Sequence, residues 1–338
     1  MAATPRTVSA LKRFRYRLEE LSCRVVAAVL PRLSRGTCLR LAYVLGAAAF
    51  RLDARGRSVA LENLACVFGP TLDDQQRRAI ARASYQNFTR TMLDLFWATR
   101  LDESNWQEWM RPEGFDAVLA QLAREKRGAV FMGVHQGNWE WGSLVCGFLG
   151  LRNIMVAETF KNPRLTEIFR ARRQRSGTTI IDQENSLLKM LRIVKRGGIT
   201  GMLIDLNLRP TQAATHIEAF GPDGLKMCVP LLHAVLAERA GALLVPVETQ
   251  PERDGTCRII VHPAIELPGG AQVPEIAQRC WDAFEPIIRA RPELYLWAYK
   301  HFRYRPRAAP ASRYPEYSNE SGKFEKLLLA VPEPRVRK

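Results

Sequence analysis

The sequence predicts an α/β domain with a central mixed sheet flanked by helices, preceded by a separate helical region. Three observations lead there. Beyond residue 127, short apolar runs alternate with helix-patterned segments. Residues 57–110 show only the three- and four-residue spacing of amphipathic helices. The positive charge gathers at the two ends of the chain and leaves the middle nearly neutral.

In chain order, residues 1–60 hold 12 Lys/Arg against 3 Asp/Glu, and residues 301–338 hold 9 against 4. The ends thus supply +9 and +5 of the net +16, which leaves +2 for the 240 residues between them. Basic ends can meet nucleic-acid phosphates or anionic lipid head groups. Here the arginines interrupt apolar runs, "CRVVAAVLPRL" and "CLRLAYVLGAAAF", without the stacked aromatics that grip bases. This composition favours an anionic membrane surface over nucleic acid. Spanning requires about 20 mostly apolar residues, and Pro31, Arg32, Arg35 and Arg40 break the best window. The charged first 20 residues and the lack of a small-residue cleavage site also fit a signal peptide poorly. Residues 1–56 are therefore expected to form uncleaved, membrane-associated helices on the cytoplasmic side.

The domain proper is expected over 57–307, with 57–110 as its leading helices. "RSVALENLACVF" carries a helical apolar stripe that Gly69-Pro70 ends, and Thr71 is the expected N-cap of the next helix. Strands are expected at 128–134, 152–157, 178–181, 199–204, 242–249 and 257–262. Helices are expected at 139–149, 162–175, 184–195, 227–240 and 273–289, with another at 292–299. Residues 308–338 read as a loose basic tail. The 47% hydrophobic and 25% charged residues are ordinary for a folded protein. Seven scattered cysteines form no CxxC pair or Cys/His cluster, so no zinc site or disulfide framework is expected.

Chemistry concentrates in "VFMGVHQGNWEWG", residues 130–142. Strand formers stop at His135, at the strand end where α/β sheets place ligands. Glu140 follows in the first turn of the next helix, from which a carboxylate can reach an imidazole, fix its tautomer and leave the other nitrogen to act as a base. There is no G-x-S-x-G elbow and no suitably placed cysteine, so in acyl chemistry the attacking hydroxyl would come from the substrate. Gly133 and Gly137 give backbone room, and Asn138 is suited to capping the helix. Trp139 and Trp141 could line a channel or pack, with packing expected for at least one. Asp205 ends a second apolar strand. Tyr295 and Trp297 read as a core anchor followed by the interfacial arginines Arg303, Arg305 and Arg307.

The alternatives stand beside this reading. A His and a Glu five residues apart also arise by chance among satisfied buried polar groups. A metal hydrolase built on His135, Glu140 and Asp205 lacks a third clear nitrogen or sulfur ligand. A silent membrane-bound scaffold would fractionate with membranes without turnover.

The H-x-x-x-x-E pattern in "HQGNWEWG" resembles the signature of the lysophospholipid acyltransferase superfamily, and specifically of the bacterial lipid A late acyltransferases (lauroyl and myristoyl transferases). Companion segments match in order: "RLDARGRSVALENLACVF", "KNPRLTEIFRARRQRSG", "GGITGMLIDLNL" and "RPELYLWAYKHFRYRPR", together covering roughly residues 40–307. The resemblance implies a glycerol-3-phosphate/lysophospholipid acyltransferase-like fold. It implies an inner-membrane enzyme, acting at the cytoplasmic face, that moves a fatty acyl group from an acyl carrier protein thioester to a hydroxyl of a lipid A precursor. No metal or cofactor is implied. His135 takes the role of general base and Glu140 that of its partner, with Arg172 and Asp205 as positioning residues. Arg170 and Arg173 lie beside Arg172, and the basic run suits a phosphorylated lipid or an acidic carrier. Arg172, Arg173, Asp205 and Asn138 are thus the expected substrate-binding set. Met227 and Cys228, in "FGPDGLKMCVPLLHA", stand where the family usually has threonines, and this departure touches the acceptor or acyl pocket. An acyl coenzyme A donor, or a lysophospholipid or phosphatidylinositol mannoside acceptor, would use the same hydroxyl chemistry.

Overall fold

The computed structural model describes residues 10–151, 153–157, 160–182, 186–211, 213–221 and 224–329. Four helices lead: α1 (Ala10–Val29), α2 (Arg35–Leu52), α3 (Ala54–Phe68) and α4 (Asp74–Trp97). Among the described residues, no helix is long and apolar enough to cross a membrane. Gly46 lets α2 lie directly on α4, because a Cβ there would fall 2.5 Å from the Cα of Gln86. The expected Thr71 cap is displaced by Asp73. The Asp73 side chain accepts from Gln76 N–H and the Gln76 side chain returns the bond, a reciprocal capping box.

The sheet and its helices then alternate: β1 (Met110–Glu113), α5 (Phe115–Glu125), β2 (Ala129–Gly133), α6 (Trp139–Phe148), β3 (Asn153–Ala157), α7 (Pro163–Arg173), β4 (Thr179–Asp182), α8 (Ser186–Lys195) and β5 (Ile199–Leu203). A hairpin, β6 (Ala214–Ala219) and β7 (Leu225–Pro230), leads to α9 (Leu232–Ala240), β8 (Leu243–Pro251), β9 (Cys257–Val261) and α10 (Val273–Ala290). The seven-stranded order is β1-β9-β8-β2-β5-β3-β4. Neighbours run parallel except β8 against β9, which makes the sheet mixed as expected. Period-two alternation assigns the two faces of β2. Val130 and Met132 join the core beneath α8, α9 and α10, while Ala129 and Phe131 join the core that holds Trp141 and Leu144 of α6.

Three expectations change. The helix expected at 227–240 begins only at Leu232, because 225–230 pair with 214–219 as antiparallel strands and bury Met227 and Cys228 completely. The helix expected at 292–299 is one 3-10 turn, Pro292–Leu294, followed by a single bridging residue, Tyr295, and a turn over 297–298. The segment expected to be a loose tail is packed through residue 329. Its β11 (Asn319–Glu320) pairs with β10 (Tyr304–Arg305) just before it, and α11 (Gly322–Leu329) follows, with Phe324 fully buried against the hairpin. Residues 330–338 lie outside the described residues. Asn63 ties this C-terminal part to α3, donating to the carbonyls of Trp297 and Tyr299 at 2.8 Å each and accepting from Tyr317.

His233 of α9 is buried, with neither ring nitrogen hydrogen-bonded among the described residues. Burial lowers its pKa from 6.5 to about 4. As pH falls the unfolded chain therefore takes this proton first. The His233 contribution to stability is complete above about 6.5 and is lost as pH falls toward 4. At about 1.4 kcal/mol per pH unit the loss approaches 3 kcal/mol. Urea midpoints at pH 7 and pH 4.5 should show this component in the wild type and lack it in His233→Leu.

Candidate active site

The parallel register of β2 and β5 builds the site. Gly133 pairs with Leu203, and two residues beyond each partner stand His135 and Asp205. The Asp205 carboxylate holds both halves of His135: Oδ2 accepts the backbone N–H at 3.0 Å and Oδ1 bonds Nδ1 at 2.8 Å. A carboxylate only accepts, so Nδ1 carries the proton and Nε2 of the neutral ring is left as the acceptor. Asp205 is fully buried. Burial alone would raise its pKa, but His135, with His301 behind, outweighs it and holds the carboxylate below its ordinary value.

Glu140 does not take the role expected of it. Its oxygens accept two bonds from Arg173, Nε to Oε2 at 2.8 Å and Nη2 to Oε1 at 2.6 Å. Five residues along the chain, across a turn into a helix, the carboxylate meets α7, while the imidazole meets the adjacent strand. Burial weakens the charge on Arg173, and Glu140 more than offsets it, raising the guanidinium pKa. Arg173, not Arg172, makes this contact. Arg172 donates to the Ile168 carbonyl at 2.7 Å and lies 4.6 Å over the Phe96 ring, and Arg170 pairs with Asp182.

Asn138 is fully buried and caps α6, its Oδ1 accepting from Trp141 N–H at 3.2 Å while its amide donates to Asp94 at 2.8 Å. Both ends of its side chain thus work within the fold. Trp141 packs, fully buried and stacked on Trp97. Trp139 instead stands 5.1 Å from the His135 ring and lines an apolar cavity open to solvent. This cavity lies between the sheet and α6. Gly133, Val134 and Leu203 stand near the His135 end, while Asn153, Ile199 and Cys146 stand toward the strand starts. The run from Leu203 to Ile199 is roughly 13 Å at 3.3 Å per residue. Gly142 and Gly201 keep it open. Among the described residues, no group of three or more His, Cys, Asp or Glu is placed to hold a metal ion.

One device was not expected from the sequence. Ser84, Asn87, Thr91 and Asp94 recur at spacings of three, four and three on one face of α4, and all four are buried. Ser84 donates to the Tyr295 carbonyl, Asn87 to those of Gly137 and Leu294 at 2.9 Å each, and Thr91 to Gly137 at 2.9 Å. Asp94 takes the Asn138 amide and the guanidinium of Arg35, which is buried between the Trp97 and Trp141 rings at 4.9 Å from each. The loop cannot relax around Gly137, whose φ is +63° and where a Cβ would fall 1.8 Å from the Thr249 carbonyl oxygen. Asn87→Leu removes one of two donors from each of these carbonyls, which keep Thr91 Oγ1 and the Gly137 N–H, and should cost about 1–2 kcal/mol, read as a lower urea midpoint.

The model of one protein family, described as bacterial lipid A biosynthesis acyltransferase, matches residues 20–304. The chain is also 26% identical, over 93% of its length and all of the relative's, to the lipid A biosynthesis lauroyltransferase of Escherichia coli strain K12.

Proposed function

From the premise that the chain belongs to the bacterial lipid A biosynthesis acyltransferase family, and is an acyltransferase, we propose that it moves a fatty acyl chain from an acyl carrier protein thioester to a hydroxyl of a lipid A precursor. The observation that carries this is the buried Asp205–His135 pair beside the mouth of an apolar cavity. In this reading the acceptor hydroxyl bonds Nε2 and attacks the thioester carbonyl as His135 takes its proton. The tetrahedral intermediate then collapses, the C–S bond breaks, and the imidazolium protonates the leaving thiolate. Asp205 fixes the tautomer and stabilises the imidazolium. Arg173, held by Glu140, supplies fixed positive charge for the developing oxyanion or a substrate phosphate.

The acyl chain would occupy the cavity. A Cβ at Gly201 would lie 3.1 Å from Cγ of Met155 and would push that side chain into the lumen. Each methylene denied burial forfeits about 0.8 kcal/mol, so Gly201→Ala should lower kcat/KM for long-chain donors about tenfold or more relative to short ones. A ladder of donor lengths checks this, and an unchanged ladder would remove the cavity from the reading.

Membrane docking at the cytoplasmic face belongs to the same proposal. On α1, Leu11, Phe14, Leu18, Leu21 and Val25 recur at three- and four-residue spacings and are all more than half exposed. The opposite side leans on α7, where Arg164 pairs with Glu20. The deciding assay is transfer by purified, detergent-solubilised protein from labelled acyl carrier protein to a tetra-acylated lipid A precursor. Acyl coenzyme A, lysophospholipid and phosphatidylinositol mannoside serve as alternative substrates. Transfer only with one of these would replace the donor or acceptor named above.

A further inference from the structure

The cavity beside His135 changes character with depth. Trp139, Gly142, Ser143 and Cys146 of α6 line it at spacings of three, one and three, the repeat of a single helix face. From Trp139, next to the His135 ring, to Cys146 this face runs inward by roughly 10 Å at 1.5 Å per residue. Asn153 and Met155 share the bordering face of β3, and Asn153 pairs with Ile199 at the strand starts. Four hydroxyl, thiol or amide side chains line the cavity, Ser143, Cys146, Asn153 and Thr249. Three of them have partners: Ser143 Oγ donates to Met155 Sδ at 2.7 Å, Cys146 Sγ to the Gly142 carbonyl at 3.7 Å, and Thr249 Oγ1 to the Gln136 carbonyl at 3.0 Å. Asn153 differs. It is 4% exposed, and among the described residues its Oδ1 has no hydrogen-bond partner. A buried amide oxygen without a partner is destabilising, and a leucine would present the same forked shape without that cost. The exception sits where a chain entering past His135 would end.

We propose that Asn153 is a specificity-determining residue, its amide oxygen closing the far end of the cavity to a methyl terminus and so limiting the length of acyl chain accepted. This rests on the reading of the cavity as the acyl site. Along the apolar walls each further methylene gains by leaving water. A chain that stops short leaves the Asn153 oxygen able to bond water, whereas a chain that reaches it puts a methyl there and strands the carbonyl. Stranding a buried acceptor costs more than one methylene returns, so the gain from lengthening ends at that point.

The test is Asn153→Leu in the full chain, read first without turnover, as displacement of a fluorescent fatty acid by saturated fatty acids of increasing length. In the wild type the gain in affinity per methylene should stop at the length that reaches the oxygen. In Asn153→Leu it should continue past that length, so that the longer acids bind about tenfold more tightly than they do to wild type. The kcat/KM values for acyl donors should move in the same order. A break at the same length in both proteins, in a series that Gly201→Ala does alter, overturns the inference and keeps the acyl cavity. A series that neither substitution alters removes the cavity reading itself, and the inference with it. If Asn153→Leu does not fold, Asn153→Val, a better strand former than Asn, carries the same test.

Discussion

Asp205→Asn should slow acyl transfer about 10³- to 10⁴-fold with little change in substrate binding. The reason is the tautomer. The carboxylate can only accept from Nδ1, whereas an Asn side chain can turn its amide N–H toward the ring and leave the proton on Nε2, where the acceptor hydroxyl must be deprotonated. The lost charge also withdraws support from the imidazolium. His135→Ala should remove the base altogether and fall to the same floor, and combining the two should cost little more than either alone, because they act as a unit. Single-turnover rates with circular dichroism of each variant check this. A deep loss in Glu140→Gln beside near-normal Asp205→Asn would return the orienting role to Glu140.

That pairing also shows what one sequence can and cannot hold. His135 was legible because a run of strand formers stops there, and Asp205 because "TGMLI" ends in the same way. Their partnership was not, since it requires that β2 and β5 be neighbours with Gly133 opposite Leu203. The local His–Glu spacing was visible instead and suggested the wrong contact. Ser84, Asn87, Thr91 and Asp94 escaped for a related reason. Polar residues on a helix are expected to face water, and only the buried carbonyls of Gly137, Leu294 and Tyr295 give this stripe its purpose. The 3-10 turn at 292–294 was missed because the chain beyond it is fixed by hydrogen bonds to the loop after β2 and to α3 rather than by local propensity. The hairpin could have been found, since "ATHIEA" alternates, but its second strand is nearly all apolar and reads equally as helix.

Glu140→Ala, by contrast, should cost stability as well as activity. Its carboxylate is 3% exposed and receives a two-pronged guanidinium that is itself 20% exposed. Removing one member of a buried pair leaves the other charge uncompensated, at about 3–5 kcal/mol. The two truncations should differ. Arg173→Ala strands the more deeply buried charge and should stand at the upper end, while Glu140→Ala leaves a guanidinium with some access to water and should stand at the lower. Removing both should cost less than the sum, because neither charge remains to be solvated. Urea denaturation of the four proteins closes the cycle, and strict additivity would mean that the pair is not coupled. Activity should follow a different pattern. The double variant should regain much of its stability but little of its rate, since the fixed positive charge proposed to meet the oxyanion or phosphate is absent from it.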